Sequence, residues 1–252
     1  FLISLVSALS GLVSVIVVAR FLGPRESGVA ITAMTMLATV QLFADIGLAP
    51  ALVQKLRIRV SHFIASFWVS LGLGLFATLF ATLSSEWLSS FFNEPDLAAL
   101  IALGAPVFAM RAYSSSFEAL LQRRCKFGRI ALAEVSGSMM GGLGVSIYFA
   151  SNGYGAESPV FGFLAQNLIR ILVVRSAIKI KISVGWTVKA FLELKEFATM
   201  FTVARLLNHV ATQADTLLVS KLLGASAAGL YGRAFQVLVA PANIFGQVLS
   251  NV

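Results

Sequence analysis

An all-α polytopic membrane protein is the fold class that this sequence predicts, built as one complete six-helix bundle followed by the first two helices of a second. Three observations predict it. Of the 252 residues, 58% are hydrophobic and only 12% charged, and the mean hydropathy is +0.88; a soluble domain carries roughly 25% charged residues. Basic residues crowd into every second loop between the apolar stretches. One short pattern also occurs twice. Val18-Ala19-Arg20-Phe21-Leu22-Gly23-Pro24-Arg25-Glu26-Ser27-Gly28-Val29 is echoed 201 residues later by Val219-Ser220-Lys221-Leu222-Leu223-Gly224-Ala225-Ser226-Ala227-Ala228-Gly229-Leu230. Both copies read Val-x-basic-apolar-Leu-Gly-x4-Gly-apolar, and each leaves one long apolar segment to enter another. Glycine supplies φ > 0 or close backbone approach, so each copy is predicted to be a tight elbow between helices. A recurrence at this spacing is an internal repeat.

The elements follow in order. Phe1 to Ala19 carries no charge and is the first span; no basic leader or small-residue cleavage site marks it as a signal peptide. The chain begins without Met and ends inside an apolar run, so a fragment cut at both ends is expected. The elbow at 20–28 leads to the second span, Val29 to about Gln54, with Asp45 near its middle and Pro50 towards its end. Lys55-Leu56-Arg57-Ile58-Arg59 is a basic loop. His62 to about Leu83 is the third span, and Glu86, Trp87, Glu94, Pro95 and Asp96 mark an acidic loop. Trp87 suits the interfacial aromatic belt. Leu97 to Leu121 is the fourth span, carrying Arg111 and Glu118, and Arg123, Arg124, Lys126 and Arg129 form the next basic loop. Ile130 to Ala150 is the fifth span, where Gly137 and Gly141 suit close helix contact in lipid. Pro159 to about Val174 is the sixth, with Arg170 inside it. The polar stretch 175–196 holds Trp186, Ala190, Phe191, Leu194 and Phe197 at helical spacing, opposite Lys189, Glu193 and Glu196. It is predicted to be an amphipathic helix on the membrane surface. Phe197 to Val219 is the seventh span, with Arg205, His209 and Asp215, and Leu230 opens the eighth. The predicted division is thus a first bundle at 1–178, a cytoplasmic linker at 179–196 and the start of a second bundle at 197–252.

Charge sets the orientation. The loops after spans two, four and six hold three, four and five Lys or Arg, whereas the other loops hold only Arg20, Arg25 and Lys221 with five acids. Positive-inside places the basic loops in the cytoplasm. Six spans per half then make the halves a parallel repeat about an axis along the membrane normal, with a cavity between bundles. The net charge of +8 does not point to nucleic acid, because it resides in these short loops.

Chemistry must come from charges inside the membrane, each costing at least roughly 2.5–3.5 kcal/mol at a helix centre unless it meets a partner or a wet cavity. Arg111 lies about ten residues, or ~15 Å, from the basic end of its span, close to the midplane. Asp45 lies at similar depth, and Arg170 and Arg205 sit in the cytoplasmic halves of their spans. Arginines in a cavity would bind an anion, because a guanidinium stays charged and grips phosphate oxygens through two parallel donors. The alternative is internal pairing, Arg111 with Asp45 or Arg205 with a neighbour. Asp45 is the candidate cation or proton site. Glu118 and Arg233 are expected to snorkel to an interface, Asp215 to pair near its span end, and His209 to hydrogen-bond in packing. With two His and one Cys, no metal site and no cofactor are expected, and Cys125 has no internal disulfide partner. No phosphate-binding loop or nucleophile elbow appears. A membrane glycosyltransferase or oligosaccharide ligase would call for acidic metal ligands or a large outer loop, and the outer loops are short.

Ala19-Arg20-Phe21-Leu22-Gly23-Pro24-x3-Gly28, Ala44-Asp45-Ile46-Gly47-Leu48 and Leu52-Val53-Gln54 resemble the opening of the bacterial polysaccharide transporter family, the O-antigen and exopolysaccharide flippases of the MATE-like superfamily. Asp215-Thr216-Leu217-Leu218-Val219, Leu223-Gly224, Gly229-Leu230-Tyr231, Ala234 and Pro241 resemble the start of that family's second bundle. The resemblance implies a MATE-like fold of twelve or more spans in the bacterial inner membrane. It also implies export of polyprenyl-diphosphate-linked oligosaccharide by alternating access. Membrane lipids, a coupling proton or sodium ion and polysaccharide polymerase machinery would be its partners. The substrate contacts Arg111, Arg170 and Arg205 rest on depth, not on a family motif. The rival within the superfamily is a cation-coupled multidrug antiporter, which would favour acids in the cavity. A structural scaffold would pair every deep charge and leave no cavity.

Overall fold

A computed structural model of the chain describes residue 17 and residues 20–178 and 188–250, with side chains as far as residue 235. Apart from residue 17, the expected first span lies outside the described residues, as does Trp186. The described residues form helices: α1 (Pro24–Ala44), α2 (Leu48–Gln54), α3 (Val60–Phe92), α4 (Asp96–Gly104), α5 (Pro106–Arg123), α6 (Phe127–Ser136), a π-helical segment (Gly137–Val145), α7 (Ser146–Ser151), α8 (Ser158–Ser176) and α9 (Val188–Ser250). Five segments are long and apolar enough to cross a membrane: Pro24–Ala44, Val60–Phe92, Asp96–Arg123, Phe127–Ser151 and Gly155–Ser176. They coincide with expected spans two to six. This is an all-α multi-pass membrane protein. Helix α9 is not among the five; its expected seventh span carries Asn208, His209, Gln213 and Asp215.

The second span is two helices, not one. The break falls at Asp45–Gly47, where Gly47 takes the left-handed conformation (φ 66°), a backbone state that favours glycine. Pro50 causes no break: it sits in the first turn of α2, where its missing N–H has no partner to lose. The carbonyls at the far end of α2 are met by one side chain. The Arg123 guanidinium donates to Leu52 O (3.1 Å), Val53 O (3.0 Å) and Leu56 O (2.7 Å), and also to Lys55 O. The fourth span is divided where Pro106 starts α5, and there the Ala105 carbonyl accepts from both Phe108 N (3.1 Å) and the Thr78 hydroxyl (3.1 Å). Helix α3 runs on to Phe92, so Glu86 and Trp87 lie on its projecting turns rather than in the expected loop. In the fifth span a Cβ on Gly141 would lie 2.2 Å from Gln166 N, so the small residues admit α8 as expected.

The two elbows meet. A Cβ on Gly28 would lie 1.6 Å from Ala225 O, and a Cβ on Gly229 would lie 2.2 Å from Pro24 O. Gly28 corresponds to Gly229 in the repeat and Pro24 to Ala225, so the contact is reciprocal, as a two-fold axis between equivalent segments requires. The role of the other glycine pair differs from expectation. Gly224 is left-handed (φ 82°) and breaks α9, whereas Gly23 is extended (φ −63°) and needs no glycine.

The amphipathic linker is also corrected. Helix α9 is unbroken from Val188 to Gly224, so the linker's helical part and the seventh span are one rod. Its apolar stripe faces protein, not lipid: Leu194 and Ala198 are buried with Leu48, Leu52 and Ala119. Glu193 ties it down, bonding Lys55 Nζ at 2.9 Å and His62 Nε2 at 3.0 Å. His62 Nδ1 in turn accepts the Arg59 N–H (2.9 Å). The Lys55 and His62 bonds hold the Glu193 carboxyl down at about 2. A depressed carboxyl stabilises above its unfolded pKa and loses that contribution as pH falls towards its folded pKa. Glu193→Gln is therefore expected to lower the melting temperature by a constant amount from pH 5 to 8. The deficit shrinks as pH drops below about 4.5, the ordinary carboxyl value; parallel melting curves of parent and variant check this.

Candidate functional site

One stripe of α1 faces α9. Gly28, Thr32 and Thr39 recur at helical spacing, with Asp45 at the helix end. Opposite them stand, in reverse order along α9, Ala225 and Gly229, Ser220, His209 and Arg205. The Thr32 and Ser220 hydroxyls bond at 2.8 Å, and Thr39 Oγ1 lies 2.9 Å from His209 Nε2. Arg205 Nη1 donates to Asp45 Oδ2 at 2.8 Å, its guanidinium over the Phe201 ring. His209 is a hydrogen-bonded packing residue, as expected, and Asp215 accepts from Thr216 N and Tyr231 O–H nearby. Arg233 turns inward instead of snorkelling, donating to Leu22 O (3.1 Å) and Ser27 Oγ. At the same end Arg25 pairs with Glu94 at 3.1 Å, and Lys221 sits over the Phe91 ring. The elbows thus gather on one end, and Lys55, His62, Arg123 and Glu193 on the other, sorting the loops as their charges predicted.

A second charge cluster lies between α5, α6 and α8. Arg170 is gripped through two parallel bonds by Glu118, Nε to Oε1 and Nη2 to Oε2, both 2.8 Å. Nη1 lies 3.0 Å from Glu134 Oε2 in a second ion pair. Glu118 does not snorkel; its side chain is 15% exposed and belongs to this buried pair. Glu134, with its side chain 39% exposed, is the second anchor of Arg170.

Between the clusters lies a cavity of about 180 Å³. Its wall includes Gln41, Asp45, Ser70, Arg111, Glu118 and Gln122. Of the four site residues read from the sequence, the fold brings Arg111 and Asp45 to this cavity. Arg170 and Arg205 do not line it; each stands behind a wall carboxylate and holds it. The two wall acids are therefore already bonded from outside, by Arg205 and Arg170. Arg111 is the charged wall residue with no hydrogen-bonded acid among the described residues, although Glu118, Asp45, Glu134 and Arg170 act on it at longer range. Sequence reading missed Gln41, whose Oε1 is buried without a partner. A neutral amide in an apolar run carries no charge signal to draw notice. It also missed the Thr32–Ser220 and Thr39–His209 seam, although the seven-residue spacing of the two threonines was visible. Among the described residues no group of three or more His, Cys, Asp or Glu could hold a metal.

Fold and cavity define a multi-pass membrane protein with a polar, charge-lined hollow inside its helices. Residues 17–252 match the family described as polysaccharide biosynthesis protein, and the chain belongs to that family. It is similar to the lipopolysaccharide biosynthesis protein WzxC of Escherichia coli (strain K12), with 25% identity over 96% of this chain and 49% of the relative. It is also similar to the succinoglycan biosynthesis transport protein ExoT of Rhizobium meliloti (strain 1021), with 23% identity over 88% of this chain and 45% of the relative. The teichuronic acid biosynthesis protein TuaB of Bacillus subtilis (strain 168) is 20% identical over 84% of this chain and 44% of its own length. The chain spans about half the length of these relatives. No solved structure matches it.

Proposed function

We propose that the whole protein is a flippase. It moves polyprenyl-diphosphate-linked oligosaccharide from the cytoplasmic to the periplasmic leaflet of the bacterial inner membrane, by alternating access between two bundles. Residues 1–178 form the first bundle, 179–196 the linker and 197–252 the start of the second. The observation that carries this reading is Arg111: a guanidinium facing a membrane cavity with its donors uncommitted, while both wall acids are bonded from behind. A diphosphate supplies the oxygens that such a donor set takes. The transport names of relatives such as ExoT support the class.

The other site residues take roles around Arg111. Arg205 ties the second half to Asp45 of the first, and Arg170 fixes Glu118; either would reach substrate only by exchanging its carboxylate for phosphate. Asp45 is the coupling position, because a proton or sodium ion bound there would release Arg205 and free the seam between α1 and α9. Polysaccharide polymerase machinery would receive the product. A multidrug antiporter would use Asp45 and Glu118 as cation ligands, yet both are already neutralised by arginine.

The test is complementation. The full-length gene, expressed in a strain lacking its own glycan flippase, is expected to restore polysaccharide at the cell surface and clear lipid-linked glycan from the cytoplasmic leaflet. Continued accumulation of that lipid, together with raised efflux of cationic drugs, would overturn the flippase reading in favour of the antiporter.

A further inference from the structure

The basic loops before α3 and α6 form one surface. Arg123 joins them, its guanidinium donating to Leu56 O at 2.7 Å and to Lys55 O. Beneath them Ile58 and Ile130 pack on the same buried cluster, which includes Phe117 and Leu121. Over that floor Arg57, Arg59, Arg124, Lys126 and Arg129 are all exposed, and among the described residues none of them has an ion pair. Neighbouring acids are engaged elsewhere, Glu193 by Lys55 and His62, and Glu118 and Glu134 by Arg170. No acid occurs in the sequence at 46–85 or at 119–133. The helices add to the positive field instead of offsetting it. Both α3 and α6 start here without an acid in the first turn, so two positive helix ends join the five cations.

Membrane orientation accounts for the sign of these charges but not for their company. Leu56 is 95% exposed, Val60 68% and Phe127 60%. Val60 and Phe127 are the first residues of two membrane-crossing segments, Val60–Phe92 and Phe127–Ser151, which puts the surface at headgroup depth. Cations beside bare apolar side chains at that depth suit a lipid interface: the apolar groups sink into the acyl boundary while the cations meet phosphates. A soluble acidic partner would match the cations but not the apolar side chains or their depth. We propose that this surface binds anionic phospholipid, with headgroup phosphates held against the 55–59 and 124–129 loops. The binding is independent of what the cavity carries.

The test uses purified full-length protein in detergent micelles doped with phosphatidylglycerol or phosphatidylcholine, with affinities read from the rise in melting temperature against lipid fraction. Parent protein is expected to prefer phosphatidylglycerol by at least about 25-fold. The preference should fade near 1 M salt, where charges are screened beyond about 3 Å. Arg57→Gln/Arg59→Gln and Arg124→Gln/Lys126→Gln each remove two cations and leave the other basic residues of their loops to hold the orientation. At about fivefold per cation, each double variant is expected to bind phosphatidylglycerol about 25-fold more weakly, with phosphatidylcholine unchanged. Either variant serves if the other does not fold. Equal stabilisation of the parent by the two lipids, or an undiminished preference in a folded double variant, would overturn the proposal. Stabilisation by soluble polyglutamate as large as that by phosphatidylglycerol would overturn it too, in favour of an acidic protein partner.

Discussion

Replacing Arg170 with Met is expected to cost the protein about 3–5 kcal/mol of stability, the usual loss when one member of a buried ion pair is removed. The reason is geometric. Arg170 donates two 2.8 Å hydrogen bonds to Glu118 and lies 3.0 Å from Glu134 in an ion pair, and its own side chain is 16% exposed. Without it, two carboxylates face each other across a space no cation fills. The loss should be largely reversed in the triple variant that adds Glu118→Gln and Glu134→Gln, because the stranded charges are then gone. That non-additivity separates pairing from packing. Melting of the full-length variants in detergent measures it. An Arg170→Met protein as stable as its parent, or a triple variant no better than the single, would refute the internal ion pair.

Gly28→Ala is the second large effect. A Cβ there falls 1.6 Å from Ala225 O and 2.5 Å from Ala225 C, both backbone atoms, so no side-chain rotation relieves the clash and α1 must part from α9. Overpacking costs about 1–3 kcal/mol where a core adjusts, and a backbone clash belongs at or above the top of that range. Gly229→Ala, its mate across the two-fold contact, should match it. Gly23→Ala is the control: the same motif, but extended backbone and nothing within 4 Å of the added atom, so a change within about 0.5 kcal/mol is expected. Melting curves of the three variants suffice. Equal effects at Gly23 and Gly28 would mean that the elbows do not pack as described.

The glycines illustrate what the sequence made legible. The doubled elbow stood out because a basic residue, Leu-Gly and a second glycine recur together. Which glycine serves conformation and which serves contact depends on how two helices cross, and spacing along one chain does not encode that. The spans and their orientation were readable because hydrophobic length and loop charge are local properties. The break at Asp45–Gly47 was not legible and the second span read as one helix, because a glycine in an apolar run is equally compatible with a continuous helix. The deep charges were readable by depth, but their partners were not. Asp45 meets Arg205 and Glu118 meets Arg170, pairings set by the rotation of helices far apart in the chain. Linker residues such as Leu194 kept the helical spacing of an amphipathic stripe, yet the covering surface is α2, which that spacing does not distinguish from lipid.

The most direct test of the account is the anion contact itself. Full-length protein carrying Arg111→Ala or Arg111→Lys is expressed in the flippase-deficient host, with insertion verified, and lipid-linked glycan is measured on each leaflet. Loss of a buried charge-assisted contact costs about 2–5 kcal/mol, so Arg111→Ala is expected to reduce export by at least about 30-fold. Arg111→Lys keeps the charge without the two-donor fork and should restore part of that loss. Export at the parental rate by correctly inserted Arg111→Ala protein would contradict the account.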